Sequence, residues 1–103
     1  MMATPAQVAN DLAVQADYFA RRDDEIARLC RDSARLIRAM IAGQAVDERT
    51  YARVTFRLQG YNGRPRPAVP SQIDKSLDRA LVTINDLNAA LSESRNGGSR
   101  HAV

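Results

Sequence analysis

Between Pro5 and Ala42 the chain runs for 38 residues without a glycine and, after Pro5 itself, without a proline. A single helix of that length would measure about 57 Å at 1.5 Å per residue. A compact chain of 100 residues has a radius of gyration of only about 13 Å. At about 100° per residue, Val8, Leu12, Phe19, Ile26, Cys30, Ile37, Met40 and Ile41 fall on roughly a third of the circumference, with Gln15 and Ser33 as polar guests. The polar patch Arg21-Arg22-Asp23-Asp24-Glu25 interrupts this stripe without shifting its phase. Two separate helices have no need to keep a common register, so the pattern reads as one continuous helix over about 5–42. The competing reading is a break near Arg22, with Asp23 or Asp24 capping a second helix.

The ends of this segment are well signalled. Thr4 is placed as an N-cap, Pro5 occupies the first helical position where its missing N–H costs nothing, and Gln7 completes a T-x-x-Q capping box. Gly43 fits a left-handed C-terminal cap. On the polar face Arg28, Arg31, Arg35 and Arg38 recur at helical spacing, and Asp24 and Asp32, each four residues from Arg28, read as its pairing partners.

Residues 50–58 fit two periods. As a strand, Ala52, Val54, Phe56 and Leu58 alternate with Tyr51, Arg53, Thr55 and Arg57. As a helix, Tyr51, Val54, Leu58 and Tyr61 share a side, Arg49, Arg53 and Arg57 share another, and Phe56 is left among the arginines. A lone strand has no partner for its backbone groups within this chain, so a middle helix over about 48–59, with Asp47 able to cap it, is the expectation. Gly60 to Pro67 reads as a loop on its Asn-Gly and proline chemistry. A third helix over about 71–93 opens with Ser71 and Asp74 as a capping box and carries Ile73, Leu77, Ala80, Ile84, Leu87 and Leu91 on one face, with Val82 pointing outward.

The fold class is therefore all-α: a small three-helix protein packed as a bundle and completed by dimerisation. Residues 1–93 form one domain and 94–103 a disordered C-terminal tail, since the run from Ser94 has nothing to bury. No run of about 18 apolar residues spans a membrane, and Met1 to Pro5 lack the basic start of a secretory signal. A single cysteine, Cys30, makes no internal disulfide. These observations point to a cytoplasmic protein, and the bias of 14 arginines to one lysine goes with GC-rich bacterial genomes by association only.

Little in the chain suggests catalysis. The one histidine, His101, falls in the tail and the one cysteine lies on an apolar helix face, so no metal cluster or Cys-His or Ser-His-Asp nucleophile assembles from one chain. No catalytic residue, cofactor or metal is expected, and the protein is not read as an enzyme. The net charge of +3 arises entirely within residues 46–70, where Arg49, Arg53, Arg57, Arg64 and Arg66 face only Asp47 and Glu48. Such an excess attracts phosphate or an acidic protein surface.

Two functional expectations follow. The first is a non-catalytic helical protein-interaction module, a homodimeric regulator that acts by binding another protein, with Val8, Leu12, Tyr18 and Phe19 left uncovered for the partner. The second is a small nucleic-acid-binding regulator using Arg49, Arg53, Arg57, Arg64 and Arg66 on phosphates.

Overall fold

The structure is a computed structural model that describes residues 3–65 and 71–101, with side chains as far as residue 92. It contains four helices: α1 (Pro5–Phe19), α2 (Asp24–Ile41), α3 (Glu48–Asn62) and α4 (Gln72–His101). The expected single helix over 5–42 is thus two helices, and the described residues form four helices where three were expected.

The break is built by the polar patch itself. Ala20 leaves α1 with ordinary right-handed angles, φ −52° and ψ −32°, and no residue other than a glycine has positive φ among the described residues. A turn made only of negative φ requires neither glycine nor proline, which is why the sequence carries no breaker there. The Arg22 guanidinium donates to the Tyr18 carbonyl at 2.7 Å, placing positive charge and a donor at the carbonyl end of α1. One residue later, the Asp23 carboxylate accepts from the Ile26 N–H at 3.2 Å, and Asp24 and Glu25 fill the first turn of α2. Basic residues close one helix and acidic residues open the next, the order the helix dipole favours.

The other ends follow from local chemistry. Thr4 and Gln7 form both bonds of the capping box, at 3.2 and 2.9 Å. Gly43 adopts φ +71° and Gln44 N–H reaches back to the Ala39 carbonyl at 3.0 Å, a Schellman closure of α2. Asp47 occupies the N-cap of α3 but makes no side-chain bond there. Ser71 and Asp74 bond reciprocally at 3.2 and 3.4 Å at the start of α4. The middle segment is helical, as expected, and runs to Asn62 rather than about 59. The last helix was expected to end near 93; its backbone is helical as far as His101. No proline stops it, and extending a formed helix is far easier than nucleating one, even through Gly97 and Gly98.

Helices α2 and α4 each pack against all the others, whereas α1 and α3 do not meet. The core therefore lies on the α2–α4 pair, with α1 laid on one side and α3 on the other. Leu12, Ile37, Leu58, Leu77 and Ile84, from all four helices, are fully buried, each contributing about 1.5–3 kcal/mol by leaving water. These side chains are covered within one chain, without a second subunit. Polar contacts pin the outer helices, among them Arg38 to Asn10 at 3.0 Å (α2 to α1), Ser76 to Asp11 at 2.7 Å (α4 to α1), and Tyr61 to Asp74 at 3.1 Å and Asn62 to the Leu77 carbonyl at 3.3 Å (both α3 to α4). The molecule measures 53 × 26 × 26 Å, its long axis set by the 30 residues of α4. Among the described residues no helix is long and apolar enough to cross a membrane.

Candidate functional site: the α2–α3 cleft

The hairpin turn and α3 together make the most chemically distinctive surface. Where α2 begins, Asp23, Glu25, Ile26 and Leu29 face Phe56, Arg57, Tyr61 and Arg64 of α3 and its end across a cleft of about 430 Å³. Helical geometry explains its composition. Val54, Leu58 and half-buried Tyr61 turn inward, so Phe56 turns out and is 76% exposed, the most exposed large apolar side chain among the described residues. Ile26 and Tyr61 are half-buried against the core, so the cleft floor is apolar and continuous with the interior.

Charge surrounds this floor. Arg57 approaches Asp32 at 3.9 Å, with the arginine side chain half-exposed, an ion pair too loose and wet to consume its charge. Arg64 lies over the Tyr61 ring at 5.2 Å, a cation–π contact that holds it at the cleft edge. Arg28 pairs with Asp24 at 3.0 Å, as its spacing predicts, while Asp32 turns to Arg57 rather than to Arg28. Tyr61 donates its hydroxyl to Asp74, and burial, followed by that hydrogen bond, pushes the phenol above its ordinary value. The phenol is therefore neutral and fixed, a wall of the cleft rather than a reactive group.

The structure divides the expected partner-binding residues. Val8 and Leu12 belong to the core, buried against the other helices, and are not surface. The fold-back of α1 covers them, which a continuous rod would not have done. Phe19 is half-buried and Tyr18 exposed; their rings meet edge to face at 4.9 Å and Arg22 lies 4.1 Å over Tyr18. This small aromatic cluster sits at the hairpin turn that ends in Asp23. Of the basic set, Arg57 and Arg64 line the cleft, and Arg53 lines the adjoining groove with Arg35 and Asp32. Arg49 is exposed on the same helix, and Arg66 lies outside the described residues.

No protein-family model, curated protein or solved structure matches this chain. Sequence reasoning did not single out Phe56, Ile26 and Tyr61, although the signal was present: a helical reading strands Phe56 among arginines.

Among the residues that line the cleft there is no cysteine, serine, threonine or histidine. Cys30 is wholly buried, and desolvation, with Asp11 adding to it, pushes its thiol up to about 12, which keeps it protonated and unreactive. Among the described residues no group of three or more His, Cys, Asp or Glu side chains is placed to hold a metal ion.

Proposed function

We propose that this chain is a non-catalytic helical interaction module, a homodimeric regulator that binds another protein through the α2–α3 cleft. The observation that carries the reading is Phe56: an aromatic side chain 76% exposed beside an apolar floor. Covering a phenylalanine side chain contributes about 1.5–3 kcal/mol, and aromatic residues with arginine are the usual material of interface hot spots. Arg57 and Arg64 at the edge suit a partner that presents an apolar side chain flanked by carboxylates. The module acts by occupancy; its own groups perform no bond chemistry.

The test is capture from nuclease-treated native lysate on immobilised wild-type chain and on Phe56→Asp, both shown to be folded by circular dichroism. A protein retained by the wild type and lost with Phe56→Asp supports the reading. The same proteins retained by both overturns it.

Nucleic-acid binding is the competing reading, favoured by exposed Arg49, Arg53 and Arg57 at intervals of four along α3. It requires binding at low salt that weakens steeply as salt rises. Duplex or single-stranded nucleic acid that stays unbound at about 50 mM salt, or binding indifferent to reversal of these arginines, removes it.

A further inference from the structure

We propose that the outer face of α4 is the contact between two copies of this chain, packed antiparallel about Val82. The proposal rests on the homodimer reading and adds to it the face and the register.

Helix α4 buries Leu77, Ala80 and Ile84 and leaves Val82 55% exposed on its far side. Two side chains of opposite charge bracket that valine, Arg79 one turn before it and Asp86 one turn after it. Both are exposed, and among the described residues neither takes part in an ion pair or a hydrogen bond. They cannot satisfy each other, because seven residues separate them by about 10.5 Å along the helix.

A second copy satisfies both at once. Relative to Val82, Arg79 is rotated by about 60° and Asp86 by about 40° in the same sense, so both lie on one flank of the valine. When two identical helices pack antiparallel, like flanks face each other. With the two-fold axis passing between residues 82 and 83, Arg79 of each copy meets Asp86 of the other, and Val82 packs on Val82 and Thr83. In that register the Lys75 stem lies along Ala90 of the other copy, where a methyl group leaves room for it. The interface is self-complementary, as a two-fold dimer demands. Beside it, Ala3, Pro5 and Gln7 at the start of α1 line a groove against Arg79, Val82 and Asp86, a shoulder that the second helix can rest on.

Two valines, one from each copy, and two exposed ion pairs per dimer make a weak association, in the micromolar range, sensitive to salt. The full chain is examined by sedimentation equilibrium over about 5–500 µM, bracketing that range, with circular dichroism to show that each variant is folded. The wild type is expected to dimerise. Arg79→Glu and Asp86→Arg, each of which sets like charges face to face twice, are each expected to weaken the dimer at least tenfold. An equimolar mixture of those two variants restores it, because each chain then offers the other a matched pair, and Val82→Asp abolishes it. Phe56→Asp leaves it unchanged. A strict monomer at the highest concentration overturns both the dimer and this face. A dimer unmoved by Arg79→Glu and Val82→Asp, or a mixture that fails to recover, overturns the face while leaving the dimer standing.

Discussion

The hydroxyl of Ser76 on α4 donates to the carboxylate of Asp11 on α1 at 2.7 Å, across 65 residues of sequence. Ser76 is buried and Asp11 half-buried, so the bond forms where water competes poorly. Ser76→Ala leaves the carboxylate without this donor, and unfolding in urea is expected to show a loss of about 1–3 kcal/mol. A double-mutant cycle with Asp11→Ala should return a favourable coupling for the pair; independent, additive losses would mean that the contact is incidental.

The α1–α2 hairpin folds α2 back along α1. A continuous helix would hold residues 10 and 38 about 42 Å apart, whereas here Arg38 bonds to Asn10 at 3.0 Å and adjacent helix axes lie about 8–10 Å apart. Spin labels at the exposed positions Ala6 and Arg35 should report a short distance by pulsed electron resonance. Asp23→Ala removes the cap of α2 and is expected to cost about 1 kcal/mol without opening the hairpin.

Ser33 is fully buried on α2, and its hydroxyl has no hydrogen-bond partner. Folding strips this group of water and returns nothing. Ser33→Ala is therefore expected to hold or raise the melting temperature, an unusual direction for a core substitution. A clear loss of stability would show that the hydroxyl has a partner after all.

Stability should fall in alkali. Below pH 9 the Cys30 thiol is neutral in both states. The unfolded thiol ionises near 9.0 whereas the folded one is held up to about 12, so between those values the unfolded state alone loses a proton. The fold then weakens by about 1.4 kcal/mol per pH unit. Tyr61, also raised, acts in the same sense from about pH 10 upward. Denaturation across pH 8–11 should show this slope beginning near pH 9, and Cys30→Ala should remove its first part. At neutral pH, Ellman's reagent should label Cys30 only after unfolding.

Much of the fold was legible where local chemistry decides it. The Thr4–Gln7 box, the Gly43 cap, the Ser71–Asp74 box and the inward faces of α3 and α4 all follow from residue type and spacing. The α1–α2 turn was misread because an apolar stripe tells which face is buried, not how consecutive helices are joined. Phe19 and Ile26 are seven residues apart, about two helical turns, so the phase survives the turn by coincidence. The informative signal was the charge order, Arg21-Arg22 followed by Asp23-Asp24-Glu25, which suits one helix ending and another beginning. The same error made Val8 and Leu12 look available to a partner. The cleft as a whole was not legible, because Ile26 and Phe56 line one surface only once α2 and α3 are packed.

The proposed function stands or falls on Phe56 as the anchor for another protein. Capture on wild-type, Phe56→Asp and Val82→Asp chains, after nuclease treatment, tests it most directly, followed by calorimetric titration of the captured protein into each variant. One partner is expected to bind the wild type and Val82→Asp, with affinity for Phe56→Asp reduced at least thirtyfold, about 2 kcal/mol as for a hot-spot residue. Equal affinity for the wild type and Phe56→Asp would contradict it.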